Sequence, residues 1–125
     1  MAEHQKYWFQ YFPNNFMWSQ GMMIAIEMAR WGCSSMSEVD RVGQRLKDKV
    51  GDNEAWGVEW ESEARRIEKM GDDAASENHH FTAGSHYLRA ATYYFVGERF
   101  VRPGAKKTEL YQSCLRCYRR GIKVR

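Results

Sequence analysis

Apolar positions along this chain recur at spacings of three and four. No stretch alternates β-branched residues at two, so the pattern predicts helices throughout and no sheet. Residues 1–15 form an aromatic-rich arm, with Tyr7, Trp8, Phe9, Tyr11 and Phe12 leading to Pro13-Asn14-Asn15. Rings at this density are expected to pack on the rest of the protein or on a partner. Asn14 or Asn15 caps a first helix over Phe16 to Arg30, closed by Gly32, with apolar positions Phe16, Met17, Met22, Met23, Ile24, Ile26 and Met28. Ser37 opens a second helix, Asp40 adds a weak capping box, and Val39, Val42, Leu46 and Val50 form its buried stripe up to Gly51.

Asp52 or Asn53 starts a third helix to about Ser76. Trp56, Trp60, Ala64, Ile67, Gly71 and Ala74 recur on its inner side, and Glu59, Glu61, Glu63, Arg65, Arg66, Glu68 and Lys69 make a solvated outer face. After Glu77-Asn78-His79-His80, Thr82 caps a fourth helix that runs to Arg99. Tyr87, Leu88, Ala90, Ala91, Tyr94 and Phe95 cover more than half of its circumference, which predicts a central helix with neighbours on more than one side. Pro103-Gly104 breaks the chain before a fifth helix, from Lys106 or Thr108 to Gly121. That helix carries two stripes, Leu110-Cys114-Cys117-Gly121 and Tyr111-Leu115-Tyr118-Ile122, again implying packing on two sides. The expected fold is all-α: a single domain over residues 1–125, with about five helices in antiparallel hairpins.

Composition supports a packed domain. Apolar residues make up 43% of the chain, and five Trp, seven Tyr and six Phe supply bulky core material. Charge is unevenly spread: residues 99–125 hold nine Lys/Arg against Glu109 alone, while residues 1–98 hold ten Lys/Arg against fifteen acids. No nucleic-acid motif accompanies the basic end, so Lys106, Lys107, Arg116, Arg119, Arg120 and Lys123 read as solvated faces of the last helix, with Arg119 and Arg120 well placed for its dipole. Three cysteines, no signal peptide and no apolar run long enough to span a bilayer point to a reduced, cytoplasmic, membrane-free setting.

Each candidate for chemistry has a plainer alternative. His79-His80 lacks partners at zinc-ligand spacing and reads as loop histidines. Cys114-x-x-Cys117 falls mid-helix on an apolar stripe, where no dipole lowers a thiol pKa, and reads as structural. Gly32-Cys33-Ser34-Ser35-Met36 lacks the closing glycine and the strand of a nucleophile elbow. Glu27, inside an apolar helix, is expected to be partly exposed or paired to Arg30. His86 could reach a ligand across a domain interface, although a satisfied packing histidine is the simpler reading. No metal or cofactor is called for. Four of the seven Met fall in the first helix, which suits an irregular core or a pliable pocket wall.

Two resemblances add to this reading. Ala83-x3-Tyr87-x2-Ala90 is similar to the A-x3-F/Y-x2-A pattern of a tetratricopeptide (TPR) helix, without a second copy at that repeat's period. More broadly, F-P-N-N-F-M-W-S-Q-G (12–21), A-R-W-G (29–32), E-A-W-G-V-E-W (54–60), A-G-S-H-Y-L-R-A-A-T-Y-Y (83–94), E-R-F (98–100) and L-Y-Q-S-C-L-R-C-Y (110–118) occur in that order. Together they resemble the N-terminal helical region of a group of α/β-hydrolases. That group includes 2,6-dihydroxypseudooxynicotine hydrolase, the fermentation-respiration switch esterase-like proteins and fungal polyketide-shortening pigment hydrolases. The resemblance implies a helical cap over a catalytic domain that hydrolyses C–C bonds of β-diketone-like substrates, or esters. The nucleophile, triad and oxyanion hole of that group lie in the catalytic domain, which these residues do not include, so no catalytic residue carries over and the chain alone is expected to be inactive. A truncated product, an excised cap and a fragment of a longer parent all fit. Candidate substrate-pocket residues, chosen by helix position, are Trp18, Met22, His86 and Tyr87. The expected partner is a hydrolase core domain, in cis or in trans, with a homodimer possible and no nucleic acid or membrane. The alternative is a stand-alone, TPR-like protein-interaction module.

Overall fold

The computed structural model describes residues 8–124, and Tyr7 and the start of the aromatic arm lie outside them. The described residues form five α-helices: α1 (Phe16–Glu27), α2 (Met36–Leu46), α3 (Asn53–Ser76), α4 (His80–Glu98) and α5 (Ala105–Ile122). Among the described residues there is no strand, so the all-α expectation holds. Among the described residues no helix is long and apolar enough to cross a membrane.

Asn15 starts α1, its side-chain oxygen accepting from the Trp18 amide at 2.9 Å. The α-helix stops at Glu27 rather than Arg30. It tightens into a 3-10 turn, Met28–Trp31, which Gly32 closes at φ 76°. Phe16 and Met17, two of its apolar positions, are exposed, while Trp18, Met22 and Ala25 are buried. Phe12 of the arm is buried with them, its amide donating to Ser19 Oγ at 3.0 Å.

Helix α2 starts earlier and ends earlier than its sequence suggests. Ser35 is the cap position and Ser37 lies inside the helix. Asp40 accepts from the Tyr11 hydroxyl instead of closing a capping box. After Leu46 the chain turns through Lys49 N–H to Leu46 C=O and Asp52 N–H to Lys49 C=O, so Val50 stands exposed beyond the buried stripe of Val39, Val42 and Leu46. Asp52 then caps α3 through the amides of Glu54 and Ala55, both at 3.1 Å.

The α3–α4 reversal takes three residues, because Asn78 adopts φ 62° and the His79 amide reaches back to Ala74 C=O at 2.9 Å. This is a helix-ending left-handed turn with Asn in the place usually taken by Gly. It lets α4 begin at His80, so Thr82 lies within the helix and is not its cap.

α3, α4 and α5 form two consecutive antiparallel hairpins. As α3 is followed from Gly57 through Trp60 to Gly71, its neighbours run backwards from Val101 through Gly97 to Tyr87. Likewise α4 meets α5 through Gly84 and Gly121 at one end, and through Glu98 and Lys107 at the other. α4 is the central helix: Tyr87, Leu88, Ala90, Ala91, Tyr93, Tyr94 and Val96 are all buried. The core is an aromatic chain, Phe12–Trp18–Trp56–Trp60–Tyr93, each ring 4.9–5.7 Å from the next.

The uneven charge resolves within the fold. Arg116 and Arg120 of α5 reach Glu68 and Asp72 of α3, and Lys106 reaches Glu61 at 2.7 Å. Lys107 pairs with Glu98 at 2.9 Å. These four basic residues are therefore helix-to-helix contacts and not simply a solvated face. Glu63 departs furthest from expectation. It is 1% exposed and held by Arg66 at 2.7 Å, Arg45 at 3.4 Å and Arg41 at 3.7 Å. Glu27 stays exposed and meets Arg30 at 4.0 Å, as its sequence position suggests.

Candidate functional site

The most site-like feature is an apolar groove of about 210 Å³ where α1, α4 and α5 meet. Ile24 and Met28 line it from the end of α1 and the turn that follows. Leu88, Ala91 and Phe95 come from α4, and Cys114, Leu115 and Tyr118 from α5. Its position follows from two glycines. Gly84 and Gly121 bring α4 and α5 so close that a Cβ on either would come within 3.2–3.3 Å of the other's carbonyl oxygen. The two helices thus pack tightly on each other, and the outward stripe of each is left facing the same side.

The groove carries no charged side chain. Two of its polar side chains are already engaged: Thr92 Oγ1 donates to Leu88 C=O at 3.3 Å, and Cys33 Sγ donates to Trp31 C=O at 3.7 Å. Burial raises the Cys114 thiol pKa, with Glu98 adding to the effect, so this sulfur stays neutral. Phe95 is 38% and Tyr118 50% exposed at the rim. Tyr111 and Ile122 continue the α5 stripe, also exposed. Three of the four residues of the second α5 stripe, Tyr111, Tyr118 and Ile122, are thus exposed.

The four pocket candidates named from sequence fall elsewhere. Trp18 and Met22 are buried in the main core, Trp18 Nε1 donating to Asn53 Oδ1 at 2.8 Å. Tyr87 belongs to a smaller cluster with Ala74 and Ala83, and its hydroxyl donates to Asp72 at 2.7 Å. Asn53 and Asp72 are nineteen residues apart on α3, so Trp18 and Tyr87 sit at contacts roughly 28 Å apart along that helix. His86 lies on the α2 side of α4. Its Nδ1 accepts from Arg89 at 2.7 Å, which puts the ring proton on Nε2. Burial and the Arg89 charge lower its pKa, against a weaker pull from Glu38. None of the four lines the groove. What the sequence did carry of the groove was the Tyr111-Leu115-Tyr118-Ile122 stripe and the Met-rich first helix.

A polar constellation lies on the opposite side of α4. Glu38 accepts from Arg89 Nε at 2.9 Å and from the Tyr93 hydroxyl at 2.6 Å, and the Tyr93 oxygen accepts from the Ser35 amide at 2.9 Å. Tyr94 and Arg116 converge in the same way on Glu68, at 2.7 and 2.8 Å. These groups satisfy one another and tie α2, α3 and α5 to α4. Cys117 of the C-x-x-C is buried, its thiol pushed up to about 12 by burial and by Glu68, the reverse of a reactive cysteine. Among the described residues no three His, Cys, Asp or Glu side chains are grouped to hold a metal ion.

Comparison with known proteins relates the chain to fungal α/β hydrolases. Over 86 residues, 65% of the chain, it is 35% identical to the α/β hydrolase pydG of an Acremonium species. Over 114 residues, 87% of the chain, it is 26% identical to the α/β hydrolase xenA of Xenoacremonium sinensis. The chain spans 20% and 27% of the lengths of those two proteins. No family model matches the chain, and no solved structure is significantly similar to it. The chain is thus an all-α region related in sequence to part of fungal α/β hydrolases.

Proposed function

We propose that this chain is the helical cap of an α/β-hydrolase, forming one wall of the substrate site and excluding water from it while the catalytic residues lie in a separate core domain. The observation that carries the reading is the apolar groove and its exposed aromatic rim, on a chain related to fungal α/β hydrolases. A groove rimmed by half-exposed rings is the kind of surface that a second domain covers. The resemblance to the 2,6-dihydroxypseudooxynicotine hydrolase and pigment-hydrolase group supports one chemistry for this reading: hydrolysis of a C–C bond in a β-diketone-like substrate, or of an ester. In this reading the wall is built by Met28, Phe95 and Tyr118.

The test joins the chain to the catalytic region of a related fungal α/β hydrolase, covalently or by mixing, and follows esterase turnover. The expected result is stable association and turnover above that of the catalytic region alone, both lost in the double variant Phe95→Asp/Tyr118→Asp. Absence of association, with Phe95 and Tyr118 equally solvent-accessible before and after mixing, would rule the cap out.

A further inference from the structure

The groove has a chemistry narrower than "apolar surface". Three elements line it, and its lining has no charge; Thr92 and Cys33 already donate to backbone carbonyls, which leaves the Cys114 thiol and the rim hydroxyl of Tyr118 as its other polar side-chain groups. An ionised group placed inside would lose its water and meet no opposite charge, a penalty of several kcal/mol. Arg99 lies over the rim ring of Phe95 at 5.9 Å and does not line the groove.

Size narrows the occupant further. A dry cavity of roughly 150 Å³ lined by aliphatic and aromatic side chains holds one benzene. At about 210 Å³, this groove has room for one ring with a short alkyl substituent. A helix, 10–12 Å across with its side chains, would rest on the rim without entering. Met28 can adjust its rotamers to the occupant, and Ala91, small and buried, leaves the floor open.

We propose that this groove binds a neutral hydrocarbon group, a single ring or a short branched chain, with no ionic anchor. As a statement about substrate it rests on the cap reading and names the part of the substrate that the cap holds. As a statement about binding it is measured on this chain alone, so either can fail without the other.

The probe is n-butylbenzene, compared with 4-phenylbutyrate and 4-phenylbutylamine, which have similar shape and carry opposite charges. Binding is read by calorimetry and by protection of Cys33 from N-ethylmaleimide, with buried Cys117 as internal reference. Butylbenzene is expected to bind one to one. At ten times its Kd it slows Cys33 alkylation about tenfold by mass action. Both charged analogues bind about tenfold more weakly or less. Ala91→Phe, folded by circular dichroism, abolishes binding and protection. Tyr118→Lys, at a half-exposed rim position that tolerates the change, reverses the preference toward 4-phenylbutyrate, and it carries the test if Ala91→Phe does not fold. The proposal is overturned if butylbenzene neither binds nor protects Cys33, if 4-phenylbutyrate binds the unaltered chain as tightly, or if folded Ala91→Phe and Tyr118→Lys both bind as the parent does.

Discussion

Gly97 on α4 faces Trp60 on α3 so closely that a methyl group built on the glycine would stand 2.7 Å from the tryptophan Cβ. That carbon is fixed to the α3 backbone and cannot swing aside, so any side chain at 97 must push the two helices apart. Gly97→Ala is expected to destabilise the protein by about 1–3 kcal/mol, even though alanine favours a helix over glycine by roughly 1 kcal/mol. At Gly57 the added methyl would meet Val101 Cγ2 at 2.6 Å, the tip of a half-buried side chain just past α4 that can rotate away. Gly57→Ala should therefore cost clearly less. Urea denaturation of the two variants compares them directly, and equal stabilities would show that the Gly97 contact relaxes freely.

The Glu63 carboxylate depends on its three arginines more than they depend on it. It is 1% exposed, while Arg41, Arg45 and Arg66 keep 35–55% of their side-chain surface in water. Removing the carboxylate charge leaves arginines that can turn outward, so Glu63→Gln should cost only about 1–2 kcal/mol. Arg66→Ala removes the closest of the three bonds and leaves the buried carboxylate to Arg45 and Arg41. A double-mutant cycle between Glu63→Gln and Arg66→Ala should give a coupling energy of about 0.5 kcal/mol or more. A zero coupling would mean that the 2.7 Å contact contributes nothing in solution.

Four phenols donate to carboxylates: Tyr11 to Asp40, Tyr87 to Asp72, Tyr93 to Glu38 and Tyr94 to Glu68. In each, burial is the larger cause and the carboxylate partner the next, and both raise the phenol pKa; Tyr87 is brought to about 12. A raised folded-state pKa contributes stability that is complete below the unfolded value of 10.0 and lost as pH rises through the folded value. Phenolate absorbance should thus show these tyrosines titrating above 10 in the folded protein, with stability falling over the same range. If all four titrated at the free-tyrosine value, the phenol–carboxylate bonds would not exist in solution.

The sequence made the helices and most of the core legible because periodicity reports which side of a helix is buried. Trp56, Trp60, Ala64 and Ile67 on α3, and Tyr87, Leu88, Ala90 and Ala91 on α4, were all readable as inward positions, and all are buried. Charge was misread where a long side chain spans helices. Glu63 looks like an outer-face residue by type, but its partners Arg41 and Arg45 are supplied by α2, which the periodicity of α3 cannot reveal. Boundaries slipped where backbone geometry overrode side-chain preference: the left-handed Asn78 turn moved the start of α4 ahead of Thr82. The groove was half legible. Its α5 stripe could be seen, but a pattern that signals a second buried face is identical to one that waits for a partner. Trp18 and Met22 were chosen by helix position, which does not distinguish a core-facing side chain from a groove-facing one on α1.

Acid stability should fall in two steps with separate origins. Burial lowers the His86 pKa below 6.5, Arg89 lowers it further, and Glu38 opposes them only in part. A depressed folded-state value means that the unfolded chain binds more protons just below 6.5, so stability begins to decline there as pH falls through the folded value. For Glu68, burial alone would raise the carboxyl pKa, but hydrogen bonds from Arg116 and Tyr94 outweigh it and bring the net value below 4.5. Glu61 behaves alike, with Lys106 and Arg65 overcoming its burial. Their contribution is present above 4.5 and lost as pH falls through the folded values, which gives a second, lower limb. Denaturation midpoints measured from pH 8 to pH 3 should resolve both limbs. His86→Gln, whose amide oxygen can still accept from Arg89, is expected to flatten the upper limb and leave the lower one in place. Arg116→Ala should do the reverse, because it removes the guanidinium that holds Glu68 ionised across the α3–α5 contact. If either variant shifts both limbs together, acid sensitivity is a property of the whole bundle and not of these two sites.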